Sequence, residues 1–184
     1  MIFYIADTHF GHENILHMDS RPFPSIEAMD KALIENWNSR ISDNDTVYVL
    51  GDAFFGKETR SIEIMEQLRG HKHLIQGNHD KVNGLLGTHW KSIKSYDEIQ
   101  DNNRLVVLSH YPIMFYKGQK FGSIMLYGHV HQTNWWHLVQ KWQEEQLSAG
   151  IPSQLINVGC MLDYMAYTPR TLDELLTYQR KDML

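Results

Sequence analysis

The feature that most constrains the fold is a series of short apolar runs, rich in β-branched residues, that alternate with amphipathic segments. Such runs are typical of buried strands, and the segments between them repeat apolar residues at helical spacing. Strands are predicted at 1–6, 46–50, 72–76, 104–109, 123–128 and 154–159. Helices are predicted at 26–41 with Ser25 as N-cap, at 60–69, at 134–148, and in a last short segment opened by the capping-box signature Thr171 to Glu174.

The order of these elements predicts the fold class. Strands and helices alternate in the first half of the chain, which favours an α/β fold with a parallel sheet there. The later strands follow one another with shorter gaps, which favours antiparallel pairing among them. A chain of 184 residues is expected to form one domain, spanning 1–184.

Five of the predicted strands are followed at once by aspartate, histidine or asparagine. The carboxyl ends of parallel strands share one edge of a sheet, and ligands bind at that edge in α/β proteins. These polar residues are therefore expected to meet in one site. The motifs are ADTHFGH at 6–12, GD at 51–52, GNHD at 77–80, SH at 109–110 and GHVH at 128–131.

Carboxylates, imidazoles and one amide oxygen are ligands that suit a divalent metal of hard or borderline character. Asp7 and His9 are separated by one residue, so an extended segment would place both side chains on one side. His129 and His131 repeat this spacing. The candidate ligands outnumber what one ion takes, so two ions sharing a carboxylate is the simplest arrangement. Paired metals about 3.5–4 Å apart serve in-line phosphoryl displacement.

The ordered set of DTH, GD, GNHD, SH and GHVH resembles the calcineurin-like metallophosphoesterase superfamily. NVGC, at residues 157–160, resembles the closing strand of its small bacterial and phage members. The resemblance implies a four-layer α/β/β/α sandwich of two mixed sheets flanked by helices, with a dinuclear metal site at the sheet edge. It also implies a set of ligands: Asp7, His9 and His131 for one metal, Asn78, His110 and His129 for the other, and Asp52 as the bridge between both.

The resemblance further implies a phosphoester hydrolase, acting as a phosphodiesterase or a phosphatase. A hydroxide bridging the two metals would attack phosphorus in line, and His79 would be the catalytic residue that protonates the leaving alkoxide. Mn²⁺ is taken as the first choice of cofactor, while Fe²⁺, Zn²⁺, Co²⁺ and Mg²⁺ also suit these ligands. A small phosphoester is the expected partner.

The sequence departs from the larger phosphatases of this superfamily at GDAFFGK, residues 51–57. Those enzymes have GDxxDRG there, so the arginine that grips phosphate and the aspartate that orients the histidine are both missing. This favours the small phosphodiesterase-like branch. We hypothesise that Arg21, in a loop stiffened by Pro22 and Pro24, reaches the phosphoryl oxygens together with His12. The alternatives are a surface arginine packed on Phe23 and a solvent-facing His12.

Two other function classes stay open on the same fold: a non-catalytic interaction scaffold, and a nuclease for short oligonucleotides. The formal net charge of −5 argues against strong binding of polymeric nucleic acid. The single cysteine, Cys160, and an N-terminal sequence unlike a signal peptide predict a cytoplasmic protein. No run approaches the length of a membrane helix. Trp135 and Trp136 follow the GHVH motif and are expected to pack in the core, with lining of the site as the alternative.

Overall fold

Two four-stranded sheets form the centre of the computed structural model, which describes residues 1–182. The first sheet has the order β1-β2-β3-β4, and its strands are all parallel. It consists of β1 (Ile2–Ile5), β2 (Thr46–Val49), β3 (His71–Ile75) and β4 (Ser92–Lys94). The second sheet is mixed and has the order β5-β6-β7-β8. It consists of β5 (Tyr96–Asp101), β6 (Arg104–Ser109), β7 (Ile124–Tyr127) and β8 (Leu155–Asn157).

Alternation along the second sheet shows how the layers are stacked. Val106 and Leu108 of β6 belong to the large core that also contains the first sheet, whereas Val107 between them belongs to a separate smaller cluster. Successive side chains of a strand point to opposite faces, so one face packs on the other sheet and the second face packs elsewhere. The smaller cluster includes Val139, which lies on the helix Asn134–Ser148. The predicted arrangement of two sheets with flanking helices is confirmed.

The described residues contain six α-helices, of which the four long ones follow the predicted amphipathic segments and the two four-residue ones were not predicted. The six are α1 (Ile15–Met18), α2 (Ile26–Arg40), α3 (Glu58–Gln67), α4 (Leu85–Thr88), α5 (Asn134–Ser148) and α6 (Leu172–Asp182). The side chain of Ser25 accepts a hydrogen bond from Ala28 N at 3.2 Å, which confirms the predicted N-cap. Glu174 accepts from the backbone N–H of Thr171 at 2.9 Å, as a capping box requires. The last helix has 11 residues and is longer than predicted.

The prediction of antiparallel pairing among the later strands is wrong for both pairs that it covered. β6 and β7 are parallel, as are β7 and β8, and only β5 and β6 are antiparallel. The connection from β7 to β8 contains the whole of α5, which provides the crossover that parallel strands need. β4 and β5 escaped prediction because β4 has three residues, and the sequence of β5 is YDEIQD. Both are edge strands, where charge and short length are common.

The two sheets are joined at one end by backbone hydrogen bonds around Ala6. Its N–H donates to Val158 O at 2.8 Å, and its carbonyl accepts from Cys160 N at 2.9 Å. Asp7 N then donates to Gly51 O at 3.0 Å. The segments that follow β1, β2 and β8 are therefore held side by side, and this junction fixes where the polar motifs lie.

The predicted domain, 1–184, includes residues 183 and 184, which lie outside the described residues. Within residues 1–182, no helix combines the length and the apolar character that crossing a membrane requires.

Candidate metal centre

The segments that follow four strands bring their histidines and aspartates together in two groups. Within each group the candidate ligand atoms all lie within 4.8 Å of one another. The first group is Asp7, His9 and His131, and the second is Asp52, His110 and His129. These are the two sets implied by the family resemblance, apart from Asn78 and with Asp52 counted in the second set. The side chains are buried or half-buried, so each group is largely shielded from solvent.

Asp52 lies between the two groups. Its Oδ2 is 3.9 Å from Nε2 of His9 and 3.6 Å from Nε2 of His110. Its other oxygen, Oδ1, accepts a hydrogen bond of 2.9 Å from the backbone N–H of His79. One oxygen is thus fixed by the chain, while the other faces ligand atoms of both groups.

The tautomers of two histidines test whether a cation fits. Nδ1 of His110 lies 2.8 Å from the carbonyl oxygen of Leu50, and Nδ1 of His131 lies 2.7 Å from a carboxylate oxygen of Asp19. Both partners accept hydrogen bonds, so we assign the proton of each neutral ring to Nδ1. Each Nε2 then presents a lone pair to the centre, where it faces the carboxylate of Asp52 or Asp7 at 3.6–3.7 Å.

His9 supports the same conclusion. Its Nε2 is buried and has no hydrogen-bond partner among the described residues. Lone pairs that converge without a proton between them repel one another, and buried polar atoms need partners. A divalent cation in each group would accept these lone pairs and give each buried atom a partner. The donor set therefore fits a pair of metals with oxygen and nitrogen ligands.

Burial also shapes the charges of this centre. Removal from solvent raises the pKa of Asp7 to about 6 and lowers the pKa of His9 to about 2. Both shifts disfavour the charged form, because a buried charge without a counter-ion is costly. A bound cation would reverse the effect on Asp7 and would use His9 in the neutral form that coordinates metal.

Asn78 lies with the second group, as the motif order implies. Its Oδ1 is 3.1 Å from Nε2 of His110 and 3.4 Å from the hydroxyl of Tyr111. The residue is exposed, so it lies on the solvent side of the group.

The backbone at the predicted ligands differs from the expected extended form. Asp7 and His9 have φ values of 55° and 50°, and His129 and His131 have 67° and 45°. All four lie in the left-handed region, as does Asp52 with φ 53°. The side chains of each pair do converge, as predicted. They do so because the backbone is left-handed, so the predicted reason, alternation along an extended strand, is wrong. Such residues cost on the order of 1–3 kcal/mol each and persist where the surroundings hold them, often at functional sites.

Glycine precedes two of the ligand segments because other side chains would not fit. A Cβ on Gly77 would lie 2.3 Å from Oδ1 of Asp52, and a Cβ on Gly51 would lie 2.2 Å from Nδ1 of His110. The GD and GNHD motifs therefore need glycine for close approach of the two loops.

Asp80, the last residue of GNHD, holds these loops together, a role that the sequence did not reveal. Its carboxylate accepts backbone N–H bonds from Gly77 at 2.8 Å and from Asp52 and Ala53 at 2.9 Å each. Burial raises the pKa of Asp80, and these three donors oppose that shift. The segment after β2 is thereby fixed to the segment after β3.

The structure contradicts the hypothesis that Arg21 grips phosphate. Its side chain is fully buried. Its N–H groups donate to the carbonyls of Asp7 at 2.8 Å and Thr8 at 2.9 Å, and to the carboxylate of Asp19 at 2.9–3.0 Å, with a longer contact to Met29 Sδ. No donor is left to face a substrate. Arg21 instead supports the backbone that carries Asp7.

Asp19 was missed by the sequence reasoning and links Arg21 to the centre. One carboxylate oxygen contacts Arg21 and the other contacts Nδ1 of His131. Burial alone would raise the pKa of Asp19, but the hydrogen bond from His131 and the charge of Arg21 hold the pKa below its usual range. Carboxylates that orient a metal-binding histidine in this way are common around metal sites.

His79 and His12 both lie beside His9. The ring centroid of His79 is 6.1 Å from that of His9, and the centroid of His12 is 5.4 Å from it. His12 stacks on Phe55 with a centroid distance of 3.9 Å. His79 is exposed and lines a cavity that opens next to it, together with Phe55. Both histidines are therefore near enough to meet a ligand of the centre.

The two tryptophans after GHVH have different environments. Trp136 packs partly buried against the core, as expected. The side chain of Trp135 is exposed, and its ring centroid is 6.1 Å from that of His129. The expectation of core packing is therefore wrong for Trp135, which lies beside the second group.

Comparison with known proteins places the chain in a family. The chain matches the calcineurin-like phosphoesterase family over residues 1–160. It is 36% identical over 135 residues to the uncharacterized protein MJ1445 of Methanocaldococcus jannaschii, covering 72% of this chain and 70% of that protein. It is 24% identical over 161 residues to the gene 66 protein of Mycobacterium phage L5, covering 70% and 76%.

A solved structure agrees over nearly the whole chain. The protein of unknown function AQ665 from Aquifex aeolicus superposes with a TM-score of 0.72 and 25% identity, covering 97% of this chain and 98% of its own. The strand order, the two candidate metal-binding groups and the family match over residues 1–160 lead to one conclusion. This chain belongs to the calcineurin-like phosphoesterase family.

Proposed function

We propose that this protein is a metal-dependent hydrolase of phosphoester bonds with a dinuclear centre. The observation that carries the proposal is the position of Oδ2 of Asp52, 3.9 Å from the free Nε2 of His9 and 3.6 Å from Nε2 of His110. A carboxylate oxygen that faces ligand atoms of two groups is suited to bridge two ions. Membership of the family supports phosphoester chemistry at such a centre.

Each remaining ligand serves one ion in this proposal. When bound, two divalent ions supply an activated water and neutralise charge on the phosphoryl oxygens, because they carry more positive charge than Asp7 and Asp52 offset. The first ion would be held by Asp7, His9 and His131, the second by Asn78, His110 and His129, and Asp52 would be shared. Mn²⁺ is our first choice among Mn²⁺, Fe²⁺, Zn²⁺, Co²⁺ and Mg²⁺.

His79 is the proposed general acid. Its side chain is exposed next to His9, and its backbone N–H is held by Asp52, so its main chain is fixed relative to the bridging carboxylate. A positioned imidazole can give its proton to the leaving oxygen as the bond to phosphorus breaks. Leaving groups that are strong bases need this proton most.

The substrate is held without an arginine clamp in this proposal. The donors of Arg21 are used by the backbone. His12 and the exposed Lys81, which lines the cavity beside His79, are the remaining candidates to contact the phosphate. Nδ1 of His12 is buried and has no hydrogen-bond partner among the described residues, so it is a candidate donor to a phosphoryl oxygen. A small phosphoester and a cytoplasmic setting fit the net charge of −5 and the buried free thiol of Cys160.

A hydrolysis screen tests the proposal. Protein stripped of metal and then loaded with each of the five ions is incubated with bis-p-nitrophenyl phosphate, p-nitrophenyl phosphate and nucleotides. We expect hydrolysis of at least one ester class in loaded protein and none in stripped protein. Protein that binds two ions by metal analysis and hydrolyses none of these esters would refute the proposal and favour an interaction scaffold.

A further inference from the structure

Two exposed aromatic side chains lie beside the second ligand group. Tyr111 is 48% exposed, and its ring centroid is 4.4 Å from that of His129. Trp135 is 62% exposed, and its centroid is 6.1 Å from the same ring. The hydroxyl of Tyr111 also lies 3.4 Å from Oδ1 of Asn78. We call Tyr111 and Trp135 the aromatic rim.

The fold does not need the side chain of Trp135. Trp136, the next residue of α5, packs against both apolar clusters, and Val139 lies buried on the same helix. Trp135 is turned away from that face by one helical step of about 100°, so its indole adds little to the core. Exposed apolar side chains that occur singly are normal on a protein surface. Trp135 and Tyr111, however, both lie beside the ring of His129, and two exposed aromatic rings at a polar centre suit stacking of a planar ligand.

The other ligand group has a different border. His9 is flanked by His79 and His12, and Phe55 contacts both of these rings. The proposed proton donor therefore lies at the His9 end of the centre, and the aromatic rim lies at the His129 end. Because the donor must meet the leaving oxygen, the leaving group belongs at the His9 end.

We propose that the substrate is a phosphodiester whose retained group is a planar aromatic, as in a nucleoside, and that this group stacks on Trp135 and Tyr111. This inference rests on the proposed phosphoester hydrolysis. A water oxygen forms a bond to phosphorus and releases one proton to solvent, the bond from phosphorus to the leaving oxygen breaks, and the proton of His79 goes to that oxygen and is replaced from solvent. The bond from phosphorus to the retained oxygen stays intact, so the products are an alcohol and a nucleoside monophosphate.

The rim distinguishes diesters from monoesters. A monoester has a single organic substituent, which is the leaving group, so it has nothing to place on the rim. A diester has a second substituent, which reaches the rim while the first one leaves. Stacking of a base on an aromatic side chain contributes about 1–3 kcal/mol, which corresponds to about 5- to 150-fold in affinity.

Three esters with the same leaving group test this selectivity in the metal-loaded protein. They are the p-nitrophenyl ester of thymidine 5′-monophosphate, methyl p-nitrophenyl phosphate and p-nitrophenyl phosphate. We expect kcat/KM for the thymidine ester to exceed that for the methyl ester by about 5- to 150-fold. Equal values for these two diesters in the wild-type protein would overturn the inference.

Substitution of Trp135 locates the effect. Trp135→Ala should lower kcat/KM far more for the thymidine ester than for the methyl ester or the monoester and so remove most of the preference, whereas Trp135→Phe should restore part of it. Phe121→Ala is the matched control, because Phe121 is 93% exposed and, among the described residues, has no ring contact with a ligand histidine. An equal loss on all three esters would mean that Trp135 supports the centre rather than the substrate.

Equilibrium binding keeps the inference testable if turnover fails. Calorimetry on metal-loaded protein should show tighter binding of adenosine 5′-monophosphate than of methyl phosphate, and Trp135→Ala should abolish the difference. Such a result without hydrolysis of any ester would refute the proposed enzyme but support the rim as a nucleoside site. Equal binding of both phosphates would overturn the inference that the aromatic rim binds a nucleoside. A change in self-association of Trp135→Ala with unchanged ligand selectivity would assign these rings to a protein contact and overturn it too.

Discussion

The backbone N–H of His79 donates a hydrogen bond of 2.9 Å to Oδ1 of Asp52. The proposed general acid and the proposed bridging carboxylate are therefore coupled through the main chain and not through the imidazole. Oδ1 is engaged by this bond, so Oδ2 is the oxygen that faces both ligand groups. Substitution of the His79 side chain should leave this coupling in place.

We expect His79→Ala to keep both metals and to lose about 10²–10⁴ in rate on esters with poor leaving groups, the usual range for general acid catalysis. The loss should be much smaller for p-nitrophenyl esters, whose leaving group barely needs a proton. Steady-state kinetics on alkyl and p-nitrophenyl esters, with metal content measured, would check this.

The matched control is His71→Ala, because His71 is exposed at the opposite end of β3 and should keep wild-type rates. An equal loss on good and poor leaving groups would show that His79 is not the acid.

Asp52→Asn should be the most damaging change of a single ligand. It keeps the shape of the side chain but removes a negative charge that both ions share in the proposal. Metal analysis of the purified variant should give less than wild-type occupancy. Asp43→Asn removes an exposed carboxylate and should leave occupancy unchanged. Two ions bound at full strength in Asp52→Asn would rule out the bridge.

The sequence predicted which residues form the centre, but it did not predict the backbone conformation and the supporting contacts that hold them there. Four of the five strand-end motifs supply a residue to one of the two groups, and Asn78 of the fifth motif lies against His110, because parallel strand ends share an edge. Left-handed backbone at Asp7 and His129 could not be predicted, since non-glycine residues rarely adopt it and the surrounding bonds impose it. Asp80 belongs to the GNHD motif, but its partners include Asp52 and Ala53, which only the folded chain brings near.

Residues that act on other protein groups were the hardest to predict. Arg21 was expected at the substrate because cations often bind phosphate, and a sequence alone does not show that its donors are all used inside the fold. Asp19 belongs to none of the strand-end motifs, so its contact with His131 was invisible before the structure. The parallel pairing of β7 and β8 was missed because the connection between them was judged by length, although it holds a complete helix.

Arg21→Ala should destabilise the fold rather than weaken phosphate binding alone. It would leave the carbonyls of Asp7 and Thr8 without their buried donors and Asp19 without its cation. Breaking a buried pair of this kind costs about 3–5 kcal/mol. Arg21→Lys should also be destabilising, since a point charge cannot reach both carbonyls and the carboxylate. Urea unfolding of both variants would measure the change.

Arg40→Ala is the control for Arg21. Arg40 pairs with Glu174 at 2.9 Å, but both side chains are about one-third exposed, and such pairs contribute about 1 kcal/mol or less. Wild-type stability in Arg21→Ala would contradict the structural role that the contacts assign to it.

Bound metal should stabilise the fold. Ions held by residues from five strand ends bind the native chain far better than the unfolded one, so stability rises with ion concentration. At a free concentration about 100 times Kd the gain is about 2.7 kcal/mol. Thermal melts with and without Mn²⁺, after a chelator is shown to strip the ions, would measure it. An unchanged melting temperature would argue against the centre.

Asp19→Asn should weaken the first ion without removing any of its ligands. Asp19 holds Nδ1 of His131 at 2.7 Å, and this contact leaves Nε2 free to face Asp7. An asparagine could turn its amide N–H toward His131, which would favour the wrong tautomer and direct a proton at the ion. Loss of such a supporting partner typically costs about 10- to 100-fold in metal affinity.

Isothermal titration calorimetry with Mn²⁺ should therefore show one weakened site and one unchanged site. Asp163→Asn, at an exposed aspartate, is the control. Because Asp19 also pairs with Arg21, unfolding must be measured on the same variant, and the affinity loss should persist at temperatures where the protein is fully folded. Two sites of wild-type affinity in folded Asp19→Asn would show that His131 needs no help from this carboxylate.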